Sequence, residues 1–258
     1  MLNQHTVETL RRMRLTGMAE ALLSQTQQPN SNELSFEERF GLLVDYEWTY
    51  RQNRRLSRLL KQARLKVPAC LEDIDYQHPR GLDRAVMRPL ASCEWLRQHQ
   101  NVLISGPTGV GKTFIACALA NHACRHGFSA LYYRAPKLFT EIAIARGDGS
   151  YPKLMNQLSK IDLLVLDDWG LAPLAATETR DLLEVIEDRY QNRSTIMASQ
   201  LPIEDWYAAM ADPTMADAVL DRLVHNAHKL ALKGESMRKL KASKRQEQPK
   251  NEAELEGI

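Results

Sequence analysis

Between Trp48 and Leu71 the chain carries no aspartate or glutamate, although 32 of its 258 residues are acidic. That gap coincides with RQNRRLSRLLKQARLK, Arg51–Lys66, in which seven of sixteen positions are Lys or Arg. No apolar run approaches the roughly 18 residues that a membrane-spanning helix needs. No basic-then-apolar leader opens the chain, so no membrane partner is expected and the setting is read as cytoplasmic. The four cysteines, Cys70, Cys93, Cys117 and Cys124, form no C-x-x-C pair and show no matching His spacing. Neither a zinc site nor a disulfide framework is therefore expected, and the thiols are read as reduced and packed. Internal repeats are also absent. With 44% apolar residues the chain has enough material for a proper core.

From Thr6 to about Lys66 the texture is helical, without Val/Ile alternation. Ser35 and Glu38 have capping-box spacing ahead of Phe36, Phe40, Leu43 and Val44. QQPNSN, Gln27–Asn32, separates an early helical pair from this later helix. Residues 68–100, with Pro68, Pro79, Gly81 and Pro89, read as a connector with one or two short helices. After Asn101 short apolar strands alternate with amphipathic helices; strands are expected at Val102–Ser105, Ala130–Tyr133, Leu163–Asp167, Thr195–Ser199 and His228–Leu232. This is the pattern of an α/β domain with a five-stranded parallel sheet and helices on both faces. The expected organisation is a small all-helical N-terminal domain at 1–67, the connector at 68–100, the α/β domain at 101–238 and a Lys/Glu/Gln-rich disordered tail at 239–258.

GPTGVGKT, comprising Gly106, Pro107, Thr108, Gly109, Val110, Gly111, Lys112 and Thr113, fits the phosphate-loop pattern and falls between a buried strand and a helix. Its glycines let backbone N–H groups face phosphates, and the helix N-terminus adds a favourable dipole. Lys112 would reach the β and γ phosphates of ATP, and Thr113 would offer its hydroxyl to Mg²⁺. LLVLDDW, Leu163–Trp169, delivers two carboxylates at the carboxyl end of a strand, where open α/β sheets bind ligands. Asp167 is read as the Mg²⁺ carboxylate. Asp168 is read either as the base for the attacking water or as an N-cap for the next helix. Gln200 is either a water- or phosphate-orienting amide or a capping amide. Arg222 and Arg238 are either surface ion-pairing residues or arginines that meet a phosphoryl group across a subunit interface. His225 and His228 lack a third nearby ligand and are read as structural.

The order of GPTGVGKT, LLVLDDWG, STIMASQLP, DRLVHNAHKLAL and GESMR resembles the helicase-loader-like AAA+ ATPases, in particular the IstB-like insertion-sequence transposition helpers. The likeness extends through EWTYRQNRRLSRLLKQARLK, LEDID and RGLDR, so it covers residues 1 to about 240. The resemblance implies that the strand carrying Ser199 lies between the phosphate-loop strand and the LLVLDD strand. It also implies that Gln200 is the first sensor, Arg222 the trans-acting arginine finger and Arg238 the second sensor. Most AAA+ proteins have glutamate where this chain has Asp168. The family further implies an ATP-bridged homo-oligomer on double-stranded DNA that deforms its target and recruits a partner transposase. A replicative-helicase loader of the same fold is the alternative.

On a helical wheel Arg51, Arg54, Arg55 and Arg58 share an arc of about 100°, with Leu56, Leu59, Leu60 and Ala63 opposite. One face packs while the other is either a solvated surface or a track for a phosphate backbone; Lys61 extends it. Helical spacing from Val44 predicts Trp48 on the apolar stripe, with Tyr50 packed nearby. ARGDGSYPK is read as a loop whose Arg146 and Lys153 form a second DNA surface or an ordinary turn.

Overall fold

In the computed structural model, residues 2–27, 34–237 and 239 are described. The chain divides into two units, Met1–Arg58 and Leu59–Ile258. Arg238 and the tail from 240 lie outside the described residues, as does most of the QQPNSN segment.

The first unit contains α1 (Leu2–Arg12), α2 (Thr16–Gln27) and most of α3 (Phe36–Ala63). Ser35 and Glu38 form the expected capping box: the Ser35 amide donates to Glu38 Oε2 at 2.8 Å, and the Glu38 amide donates to Ser35 Oγ at 3.2 Å. Helices α2 and α3 meet at Gly17, where an added Cβ would lie 2.8 Å from Tyr50 Cβ and 3.0 Å from Glu47 Cα. Beside it, buried Glu47 accepts from the Met18 amide at 3.0 Å and from Arg51 Nε at 2.6 Å. Burial pushes its carboxyl up, but those hydrogen bonds and the Arg51 charge together hold it below the usual carboxylate range.

This contact corrects the expected packing of α3. Its buried line runs through Leu43 and Glu47, with Tyr50 half-buried, whereas Trp48 is 66% exposed and Phe36, Phe40 and Val44 are exposed with it. The helix approaches α2 only along the face that Gly17 admits, and that face is not the most apolar one.

The second unit begins with the last turn of α3, where Leu59 and Ala63 are buried and Leu60 is half-buried. It continues through α4 (Arg84–Ala91), α5 (Glu94–Arg97), β1 (Asn101–Ser105), α6 (Lys112–Arg125), β2 (Ala130–Arg134), α7 (Ala135–Asp148) and α8 (Tyr151–Lys160). β3 (Leu163–Trp169), α9 (Ala176–Arg189), β4 (Ser194–Ser199), α10 (Pro213–Val224) and β5 (Ala227–Ala231) complete it. The five strands pair in parallel in the order β2-β3-β4-β1-β5, so β4 lies between β1 and β3 as the resemblance implies. β1 and β4 are buried throughout, as a sheet covered on both faces requires.

Residues of the connector are core here. Met87, Leu90, Trp95 and Leu96 are buried, and Trp95 Nε1 donates to Leu90 O at 3.0 Å. The ARGDGSYPK segment is mostly helix. Arg146 lies in the last turn of α7 and Lys153 in the first turn of α8, separated by a short turn in which Gly149 is left-handed. No helix among the described residues is long and apolar enough to cross a membrane.

Gly17→Val should wedge α2 from α3, because the new Cβ would meet atoms that are fixed close to the backbone of α3. An overpacked helix contact of this kind costs about 1–3 kcal/mol, so the urea midpoint of the first unit's helical signal should fall. An unchanged midpoint would show that the two helices have room to move apart.

Candidate active site

The β1–α6 turn is bent by three left-handed glycines, with φ of 144° at Gly106, 88° at Gly109 and 103° at Gly111. At all three the space is taken as well: an added Cβ at Gly106 would overlap Leu232 O, one at Gly109 would lie 2.7 Å from Ser236 Cβ, and one at Gly111 would lie 2.6 Å from Arg80 Nη1. The loop is thus cradled from behind. Buried Arg80 donates to Val110 O at 2.9 Å and to Asp75 O at 2.8 Å. The Leu232 amide donates to Ser105 O at 2.8 Å and the Met237 amide to Gly109 O at 2.9 Å. Lys112 Nζ donates to Gly106 O at 2.7 Å and Pro107 O at 2.9 Å, which holds it beneath the loop. A glycine cradle at a helix N-terminus with a lysine inside it fits the polyphosphate of a nucleotide.

The carboxylates reach this loop because β3 breaks register with β4 between Leu166 and Trp169. A bulge re-aims side chains, and here Asp168 takes φ 59°, a conformation uncommon outside glycine. Buried Trp169 anchors the far side of the bulge: Ser199 Oγ donates to its carbonyl at 2.8 Å, and its ring meets Trp206 edge-on at 6.0 Å. Asp167, 1% exposed, accepts from Thr113 Oγ1 and from Tyr132 OH, each at 2.7 Å on Oδ2. Burial first, then the hydrogen bond and charge of Asp167, raise the Tyr132 phenol far above its ordinary value, so it stays a donor. Asp168 is less buried and accepts from Arg134 Nε at 2.6 Å. That hydrogen bond, more than any other cause, raises the Arg134 guanidinium further. Lys66 Nζ lies 3.9 Å from Asp167 Oδ2 and 3.8 Å from Asp168 Oδ2. Gln200, at the end of β4, accepts from Thr108 Oγ1 at 2.6 Å through Oε1, which leaves its amide N–H groups as donors toward the loop.

The structure therefore brings Lys112, Thr113, Asp167, Asp168 and Gln200 together. It also adds four residues that sequence reasoning missed: Lys66, Arg80, Tyr132 and Arg134. Arg222 lies elsewhere. Its carbonyl accepts from Asn101 at 3.3 Å, at the start of β1 rather than at the loop end, and its guanidinium pairs with Glu187 and donates to Ala218 O at 2.9 Å. His225 pairs with Asp221 at 3.2 Å and His228 with Gln100 at 2.8 Å, so the two do not share a ligand.

Of the expected DNA contacts, Arg51 is bonded to Glu47, Arg54 lies 5.9 Å from the Tyr50 ring, and Arg55, Arg58 and Lys61 are exposed on α3. Arg146 is held by Asp181 at 2.6 Å and stacks 4.2 Å from the Tyr151 ring. Lys153 is exposed.

A family profile described as IstB-like ATP binding protein matches residues 8–245. The chain belongs to this family. It is 49% identical over 239 residues to an insertion-sequence ATP-binding protein of Sinorhizobium fredii, covering 93% of this chain and 98% of the relative. It is 52% identical over 214 residues to the ATP-binding protein of insertion sequence IS1162 of Pseudomonas fluorescens, covering 83% and 93% of the two chains. Among solved structures, DnaI matches with a TM-score of 0.53 at 21% identity, over 68% of this chain and 93% of its own, which shows a shared α/β fold. In this member of the IstB-like family the phosphate loop rests on a guanidinium contributed from the segment before β1.

Arg80→Ala should strip Val110 O and Asp75 O of their donor. Orphaned buried carbonyls cost about 1–3 kcal/mol each, so the thermal midpoint should drop and ATP affinity should weaken with it. Unaltered affinity would mean that the glycines shape the loop without this support.

Proposed function

We propose that this IstB-like protein is an ATPase that assembles on duplex DNA and readies it as a target for a partner transposase. The observation that carries the catalytic part is the meeting of the phosphate loop and Thr113 of α6 with Asp167 and Asp168 of β3. Full-length similarity to insertion-sequence proteins supports the transposition setting.

Lys112 would exchange the Gly106 and Pro107 carbonyls for phosphate oxygens. Thr113 and Asp167 form a hard-oxygen pair suited to Mg²⁺, which when bound would offset charge developing on the β and γ oxygens. Tyr132 would keep Asp167 turned toward Thr113. Asp168 is the group in range to take a proton from the attacking water, but its Oδ2 is engaged by Arg134. Hydrolysis therefore needs Arg134 to swing away, and Asp168 is restrained until it does. Gln200 would turn its N–H donors to the γ-phosphate or the water. The placement of Arg222 at the start of β1 is incompatible with service to its own phosphate loop and supports a role at a neighbour's, so full activity would require a homo-oligomer. Arg238 is retained as the second-sensor candidate by resemblance.

The acid-free stretch of α3 after Trp48 supports binding to a phosphate backbone with weak sequence preference, since such contacts position a protein without reading bases. Arg54, Arg55, Arg58 and Lys61 carry that proposal, with Arg146 and Lys153 as outlying candidates. Arg51 already neutralises a buried carboxylate, which makes it a poor choice for the test.

Arg134→Ala should free Asp168 and raise DNA-independent ATP hydrolysis. The pair is half exposed, so its restraint is worth at most about 1 kcal/mol and the increase should be about two- to fivefold. A collapse of hydrolysis comparable to Asp168→Asn would instead give Arg134 a direct catalytic duty. Arg54→Glu, Arg55→Glu and Arg58→Glu combined should lower duplex affinity by about 100-fold in dilute salt and flatten the log–log salt dependence by about 0.9 for each phosphate that is no longer neutralised. Intact duplex binding by this variant would favour the loader alternative, in which the N-terminal helices meet a protein.

A further inference from the structure

A second cluster of chemistry lies at the other end of the phosphate-loop helix. His122 and His126 stand one turn apart near the end of α6, and the turn between α4 and α5 brings Cys93 against them. One ring nitrogen from each histidine and the Cys93 sulfur lie within 4.8 Å of one another. The imidazole centroids are 4.3 Å apart.

The hydrogen bonds fix which nitrogens carry protons. His122 Nε2 lies 2.8 Å from Ala91 O, and His126 Nδ1 lies 2.9 Å from His122 O. A carbonyl oxygen only accepts, so both of those nitrogens are N–H donors. In a neutral ring the lone pair then belongs to the other nitrogen, Nδ1 of His122 and Nε2 of His126. A backbone carbonyl on the far nitrogen is the usual outer support of a metal-binding histidine. His122 Nδ1 is buried and has no hydrogen-bond partner, an orphaned acceptor of the kind that calls for an explanation. Cys93, 2% exposed, adopts φ 57°, a left-handed conformation unusual for a side chain that is not glycine, asparagine or aspartate. Burial holds the His122 ring neutral by lowering its pKa.

We propose that Cys93, His122 and His126 form a site for a borderline-soft divalent metal ion, Zn²⁺ above all, with a water molecule in the fourth position. Nitrogen and sulfur donors disfavour Mg²⁺ and Ca²⁺. Tetrahedral zinc has bonds of about 2.0–2.3 Å, which place neighbouring ligand atoms about 3.3–3.6 Å apart, so the cluster has to contract by about 1 Å. Burial raises the Cys93 thiol pKa, so the thiol enters protonated, and binding replaces the S–H bond by an S–metal bond and releases that proton to solvent. Arg125, the neighbouring cation, is turned to Glu72 at 3.0 Å and Cys70 Sγ at 3.3 Å. The bound ion would tie the end of α6 to the segment before β1. Sequence spacing gives no hint of this cluster, because Cys93 and the histidines lie on opposite sides of β1 in the chain.

The test is titration of the untagged full chain with Co²⁺ in a non-chelating buffer with a phosphine reductant, followed by Zn²⁺ competition. Expected is a thiolate-to-cobalt absorption band that saturates at one ion per chain and is abolished by Zn²⁺. Cys93→Ser should remove the band, and His126→Ala, at an exposed position, should weaken Co²⁺ binding about tenfold or more with helicity unchanged by circular dichroism. Asp167→Asn should leave the band intact, which separates this site from the oxygen ligands at the phosphate loop. Absence of the band in the parent protein, or its persistence in folded Cys93→Ser, would overturn the proposal. If Cys93→Ser does not fold, undiminished Co²⁺ affinity in His126→Ala overturns it equally.

Discussion

Asp167 is the point on which the nucleotide site turns. A carboxylate that is 1% exposed needs partners, and Thr113 and Tyr132 supply them from α6 and β2 at 2.7 Å each. Three elements, α6, β2 and β3, are thereby locked around one oxygen. The Thr113 bond fixes the first turn of α6, and with it the loop that precedes that turn. The Tyr132 bond fixes β2 against the end of β3, so Arg134, two residues further along, comes level with the carboxylates. Removing the acid would leave a hydroxyl and a phenol without an acceptor and free the bulge that aims Asp168.

The parts of this arrangement that were legible in the sequence are those governed by local rules. GPTGVGKT announces its loop because only glycine tolerates the φ values found there, and the apolar runs announce the strands because a parallel sheet buries both faces. The Ser35–Glu38 cap was readable for the same reason, since both partners lie within one turn. The place of β4 between β1 and β3 came from the resemblance, and the structure bears it out. The illegible parts depend on who arrives from a distance. Arg80 belongs to a proline- and glycine-rich connector, and nothing local says that its guanidinium passes under Val110. Trp48 lies on the most apolar line of α3, yet Gly17 decides which line α2 can approach.

The basic run shows the same limit. Its charges read as one patch, but the structure gives those at its two ends separate carboxylate partners. Arg51 serves the buried Glu47 in the first unit, and Lys66 lies beside Asp167 and Asp168 in the second. Arg54, Arg55, Arg58 and Lys61, between them, are exposed on α3. Absence of acids in the sequence therefore did not mean absence of acidic partners, because those partners came from elsewhere in the chain.

The cations around the carboxylates differ in how readily they can be displaced, and that difference gives the site its order of events. Arg134 and Lys66 are 52% and 40% exposed, so water and salt screen their attraction to Asp168 and each pairing is worth about 1 kcal/mol or less. The Thr113 and Tyr132 bonds end on a buried oxygen, where losing a donor is far more expensive. An incoming polyphosphate would thus compete with the carboxylates for the exposed cations first and leave the buried Thr113 and Tyr132 bonds in place. The inner geometry is set before a nucleotide arrives, while Asp168, the base in our proposal, is held by a contact weak enough to break.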